Sequence, residues 1–317
     1  MSWKSQLIIP VLSKLASTAI KFPKKETFLT ILAYHRIMEQ PENYPLDEGV
    51  ISTDPKTFEK EMEFCGKHFN CITFQYLRMF VAGRVTFLKN PLIVTFDDGY
   101  RDNYTNAFPI LRKYGLTATI FLTVEHINSG ELFWWDIAAF AMKQRESSDT
   151  DLRHFFKTLK SLPNTERLKQ IHELKEKFKL PLSRIARQTL TWDEIREMSQ
   201  NYIEFGSHTM SHPVLSKVSD ERQLEYELRE SKRIIEERLG KKVSTISYPV
   251  GGPDAFTQHI QSAIEAAGYD FAISYIHGQN KINPSLNLYN LKRLDADKID
   301  LDKFKSKLAF PNLFGTA

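Results

Sequence analysis

The chain has 317 residues, of which 42% are hydrophobic and 26% charged, the composition of an ordinary soluble globular protein. Its net charge of +4, from 43 basic and 39 acidic side chains, comes with no dense Lys/Arg block interleaved with aromatics, so no nucleic-acid partner is expected. Disordered, fibrous and polytopic membrane classes are excluded as descriptions of the whole chain, and two cysteines, Cys65 and Cys71, exclude a disulfide framework.

The chain opens on an apolar run, Leu7 to Leu12, interrupted by Pro10 and Lys14, with no small-residue cleavage site after it. Residues 1–27 therefore read as an uncleaved basic amphipathic arm rather than a signal peptide. Lys4, Lys14, Lys21, Lys24 and Lys25 suit it to an anionic membrane surface, with a cytoplasmic location at the inner face of the membrane. Phe28–Tyr34 reads as a buried strand ending at His35. Asp54-Pro55 opens a helix, with Phe58, Met62 and Cys65 on one face. A second strand is expected near Asn70–Phe74 and a third over Leu92–Phe96, stopped by Asp97-Asp98-Gly99.

A helix carrying Ala107, Ile110 and Leu111 stops at Gly115, and residues 117–124 form the next strand. This order indicates βαβ units and a parallel sheet. Residues from about 130 to 190 lose strand signals and read as a helical insertion with a solvated face. Thr191 and Glu194 form a capping box, and a strand at 202–206 follows. Leu224, Leu228, Ile235 and Leu239 line a long helix that stops at Gly240. Strands at Val243–Tyr248 and Tyr269–Ser274 flank a helix ending at Gly268. About seven strand–helix units suggest an irregular (β/α)7 barrel.

Three chemistry-bearing clusters fall at expected strand ends, where parallel α/β folds place their sites. Thr95 to Tyr100 puts two adjacent carboxylates, Asp97 and Asp98, after an apolar strand. Repulsion and burial make that costly unless a cation sits beside them; a helix cap or turn is the structural alternative. Ser207 to Pro213 carries His208 and His212, which reach one metal if the backbone makes a single helical turn. Asp98, His208 and His212 together make the three-ligand set of a catalytic Zn²⁺ site with one open position, and Asp97 is the spare carboxylate for a water proton. Ser247 to Gly252 is the third cluster.

Thr95-Phe96-Asp97-Asp98-Gly99 with His208-Thr209-Met210-Ser211-His212 resembles the first two motifs of the polysaccharide deacetylase family, the carbohydrate esterases that share the NodB homology domain. The resemblance runs from about residue 28 to 295. It implies an irregular (β/α)7 barrel over 28–317 and metal-dependent removal of acetyl groups from amino-sugar glycans. It makes Asp97 the base and Asp98, His208 and His212 the ligands. In the third motif Pro249 and Gly251 match, while Ser247 stands in place of the usual Arg and Val250 in place of the usual aromatic. Val250 can still supply a backbone N–H to an oxyanion, with Tyr248 beside it. Arg293 and Arg36 are the candidates to replace the Arg.

The family's C-terminal Leu-x-His is absent. Leu32-Ala33-Tyr34-His35 resembles instead the exopolysaccharide branch, whose shifted barrel places a Tyr-His near the N-terminus. That makes His35 the candidate general acid, with His277 as the alternative and a structural histidine as the competing reading. Phe133-Trp134-Trp135-Asp136 also resembles that branch, and Trp135 with Tyr100 is the candidate pair for sugar contact. The expected activity is zinc-dependent deacetylation of N-acetylated amino sugars in a polysaccharide or its precursor. The alternatives are a barrel glycosidase and a non-catalytic carbohydrate-binding relative.

Overall fold

Seven parallel strands close into a barrel in the computed structural model, which describes residues 3–21, 26–86, 88–178, 185 and 187–314. In chain order the strands are β1 Phe28–Tyr34, β2 Arg36–Ile37, β3 Ile51–Thr53, β4 Asn70–Cys71, β5 Pro91–Phe96 and β6 Ala118–Leu122. There follow β7 Ile203–Ser207, β8 Thr245–Ser247, β9 Phe271–His277, β10 Asn280–Lys281 and β11 Leu291–Asp295. The ring runs β1-β5-β6-β7-β8-β9-β11 and returns to β1. Outside it, β4 extends β5, β10 runs antiparallel to β1, and β2 pairs with β3. This is the irregular (β/α)7 barrel expected from the strand–helix alternation.

Three apolar clusters explain why it closes. Leu29, Ile31, Ile93, Phe121, Phe271, Ile273 and Leu291 fill the barrel interior. A second layer lies between the barrel wall and the outer helices, where Phe58, Met62 and Cys65 meet Phe304 and Leu308. Strands buried on both faces read as continuous apolar runs, which is why β5 was legible. A third cluster joins the 44–51 segment to the insertion through Tyr44, Leu46, Trp134, Trp135, Leu159 and Ile171. The insertion folds as helices Trp134–Lys143, Asp149–Ser161 and Asn164–Phe178. It is therefore not only a solvated surface: one side packs against the barrel.

Gly206 shows how tight the interior is. A Cβ added there would lie 2.5 Å from the Phe121 ring and 2.7 Å from Thr245 Oγ1. Gly206→Ala is expected to cost about 1–3 kcal/mol, read from the urea midpoint. An unchanged midpoint would mean that Phe121 has room to move.

Two elements depart from the sequence reading. The strand expected at Asn70–Phe74 stops at Cys71, and a helix, Phe74–Val81, begins instead. Thr73 Oγ1 accepts from Tyr76 N, and the Glu204 carboxylate accepts from Phe74 N and Gln75 N, so the helix start is capped twice. Strand β11 was not anticipated, because Leu-Lys-Arg-Leu-Asp hides a buried strand behind three charges. The N-terminal segment forms a helix, Trp3–Lys21, along helix Leu301–Ala309. Lys24 and Lys25 lie outside the described residues. No helix of the described residues is long and apolar enough to cross a membrane.

Candidate active site

The carboxyl ends of β1, β5, β7 and β8 converge on one cavity of about 530 Å³. Asp97 and Asp98 follow β5, His208 follows β7, Val250 follows β8 and His35 follows β1, and all five line it with His212. The cavity lies in the size range of small-ligand sites.

Asp98, His208 and His212 are all buried, and one ligand atom from each lies within 4.8 Å of the others. Asp98 Oδ1 is 3.4 Å from His208 Nε2 and 3.5 Å from His212 Nε2. Those separations match the edge of a tetrahedron with bonds of about 2.0–2.2 Å. Asp98 Oδ1 is buried with no hydrogen-bond partner among the described residues, so the oxygen facing both imidazoles is left unsatisfied by them. His208 Nδ1 lies 2.8 Å from Ser247 O; donation there leaves the Nε2 lone pair facing Asp98. Burial lowers the His208 pKa to about 4 and holds His212 well below the ordinary value, so both rings are neutral. Burial, then repulsion from Asp97, pushes Asp98 well up. Neutral imidazoles and a carboxylate that needs a cation fit a divalent metal.

Asp97 has a different environment. Burial alone would raise its pKa, but the Arg293 guanidinium overrides that and holds the carboxyl well below the usual range. The contact is bidentate: Nη1 to Oδ1 at 2.9 Å and Nη2 to Oδ2 at 2.7 Å. Arg293 Nη2 also donates to Ser247 Oγ at 3.1 Å, and Nε donates to Ser274 O. The smaller Ser247 thus leaves room for an arginine that arrives from β11 instead of β8. Arg36 is engaged elsewhere, with Asp102, Tyr44 and Gln188.

The local backbone is unusual at several of these residues. Asp98, Thr209, His212 and Val250 have φ of 74°, 69°, 58° and 65°. A β-branched residue in this region is a genuine outlier, so Val250 is held there by its surroundings. Its neighbour Gly251, φ 62°, is required: a Cβ there would lie 2.6 Å from Tyr275 N. Val250 N–H has no acceptor among the described residues and so remains a spare donor at the cavity. The His208–His212 segment is not the helical turn expected from its spacing. It is a loop in which Thr209 Oγ1 accepts from His212 N and Glu227 accepts from Met210 N, Ser211 N and Ser211 Oγ. Left-handed backbone at Thr209 and His212 brings the rings to 4.7 Å between centroids.

His35 is fixed at both backbone ends, its N–H donating to Ser52 Oγ and its carbonyl accepting from Asn103 Nδ2. Its Nδ1 is buried without a hydrogen-bond partner among the described residues. His277 does not join the site; its ring sits between Asp295 and Pro311 O. Tyr248 turns away too: its ring stacks on Phe256 and its OH donates to Tyr289 O. Tyr100 is fully buried under the insertion, where its OH accepts from Trp135 Nε1 at 2.8 Å. It supports Trp135 and cannot meet a sugar itself. Trp135 lines the cavity with its ring 4.6 Å from that of His212.

The sequence reading missed other walls. Phe156 and Lys160 of the insertion, the Asp47–Val50 segment, Tyr275 and Lys298 all line the cavity. Only Phe156 carried a signal, as one of the helically spaced apolar residues of the insertion. Glu227 was invisible because the loop contacts it makes are set by tertiary packing.

A polysaccharide deacetylase family model matches residues 84–272. YxkH of Bacillus subtilis (strain 168), a polysaccharide deacetylase by name, is 23% identical over 252 residues. The match covers 79% of this chain and 66% of that protein, just under two thirds of its length. Streptococcus pyogenes deacetylase PplD, solved in complex with acetate, superposes with a TM-score of 0.60 at 18% identity over 86% of this chain and 93% of its own. IcaB from Ammonifex degensii gives 0.60 at 17% identity over 89% and 96%, and the BpsB deacetylase domain from Bordetella bronchiseptica gives 0.57 at 17% over 86% and 98%. At these identities the superpositions bear on the fold, which is the same seven-stranded barrel.

Proposed function

Because the chain belongs to the polysaccharide deacetylase family, we propose that it hydrolyses acetyl groups from N-acetylated amino sugars of a polysaccharide or its glycan precursor, with a divalent metal held by Asp98, His208 and His212. The observation that carries this reading is the buried triad, with its ligand atoms within 4.8 Å, beside a second carboxylate fixed by Arg293. Two imidazoles and one carboxylate favour Zn²⁺. A metal bound there would polarise the acetyl carbonyl and make water more acidic.

The chain's own residues supply the rest. Asp97, ionised and oriented by Arg293, takes the proton of the attacking water. Val250 N–H donates to the oxygen that becomes negative as the carbonyl carbon turns tetrahedral. His35, across the cavity, protonates the leaving nitrogen so that the amine departs neutral. Trp135 and Phe156 offer apolar faces of the kind that sugar rings pack against.

Acetate release from a panel of N-acetylated sugars, with zinc and then with chelator, tests the proposal. Release abolished by chelator and restored by zinc is expected; no release from any member, with sugar binding intact, would favour a non-catalytic binder. Within that assay His35→Ala should lower kcat by about a hundredfold with metal content unchanged. A loss below about threefold makes His35 structural.

A further inference from the structure

Helix Trp3–Lys21 has two faces with different fates. Ser13, Ala16 and Ile20 are buried against the barrel's outer helices. Ser13 Oγ donates to Asp302 Oδ1 at 2.6 Å and Ser306 Oγ donates to Ile9 O at 3.2 Å, so the helix is docked. On the opposite face Ile8, Val11 and Leu15 recur at i, i+3 and i+7 and stay 52%, 57% and 51% exposed. Three large aliphatic side chains in one outward stripe are not explained by the docking contact.

The flank of that stripe is basic. Lys14 and Lys21 are exposed on the same helix. Ser17 Oγ lies 3.2 Å from His68 Nε2, and around His68 gather Lys21, Lys67 and Lys305. Lys89 Nζ donates to Lys21 O at the helix end. Glu63 pairs with Lys67, so that pair adds no net charge to the rim, and Asp302 is turned toward Ser13.

We propose that this face docks on an anionic lipid surface, with Ile8, Val11 and Leu15 entering the acyl boundary and Lys14, Lys21, Lys89 and Lys305 facing the headgroups. An apolar stripe beside a lysine rim is the arrangement by which a helix lies in a membrane interface. A second copy of the chain fits less well. Three half-exposed side chains supply far less than the roughly 800 Å² per partner of a stable interface. A two-fold contact would also bring the two lysine rims together. The inference is independent of the deacetylase reading, since none of these residues lines the catalytic cavity.

Flotation of the full chain with vesicles tests it, using phosphatidylcholine alone and phosphatidylcholine mixed with phosphatidylglycerol, at low and high salt. The wild type should float with the anionic vesicles, less with the neutral ones, and less at high salt. Val11→Glu/Leu15→Glu should lower partitioning by about tenfold or more while acetate release and Tm stay unchanged. Three results overturn the proposal: no flotation of the wild type with anionic vesicles, equal flotation of the variant, or a concentration-dependent dimer in sedimentation that the variant abolishes while flotation persists.

Discussion

Asp97→Asn is expected to lower kcat for acetate release by about 10²–10⁴ while metal content stays near one ion per chain. Two neighbouring carboxylates have opposite surroundings. Asp98 faces both imidazoles with an oxygen that no hydrogen bond among the described residues satisfies. Asp97 is turned into the Arg293 fork, which keeps it ionised in spite of complete burial. The amide introduced by Asp97→Asn can still accept from the guanidinium through its oxygen, so the loop should hold and the metal should stay. That amide cannot take a proton at any ordinary pH. If the variant keeps wild-type kcat, Asp97 is not the base. If it loses metal together with activity, the division of labour between the two aspartates is wrong.

Removing the other half of the pair should be felt as instability. Arg293→Met is expected to cost about 3–5 kcal/mol, because it leaves an unpaired carboxylate in a dry site. Asp97→Asn/Arg293→Met removes both charges, so its loss should be smaller than the sum of the two single losses. Urea unfolding of the four proteins measures this directly. A cost below about 1 kcal/mol for Arg293→Met, or strict additivity, would mean that water or Ser247 already satisfies Asp97. The same variant should also lose kcat, since nothing then orients the base.

Much of this site could be read from the chain, for a physical reason. Apolar strands that end in Asp97-Asp98, Ser207-His208 and Ser247-Tyr248 advertise their ends, because charged and polar side chains are costly inside a buried parallel sheet and cluster where it stops. What could not be read was set by tertiary context. The His208–His212 spacing suggested a helical turn, but the rings meet through left-handed backbone at Thr209 and His212, which residue type does not announce. Arg293 and Arg36 were both candidates in sequence, with Arg293 preferred. Only the barrel's closure of β11 onto β1 brings one of them to Asp97. Tyr100 follows the Asp-Asp-Gly motif and looked like a sugar contact, yet the insertion folds over it and leaves Trp135 at the surface of the cavity. The insertion's polar composition described its outer face and concealed the wall it builds.

On the proposed function, Asp98, His208 and His212 hold one catalytic metal. This is tested most directly by stripping the protein with chelator and titrating zinc back while following acetate release from an N-acetylglucosamine oligomer. The stripped protein should be inactive, activity should return linearly and saturate at about one equivalent per chain, and His208→Ala should show no return at that stoichiometry. Full activity in the metal-free protein would contradict a catalytic metal at these residues.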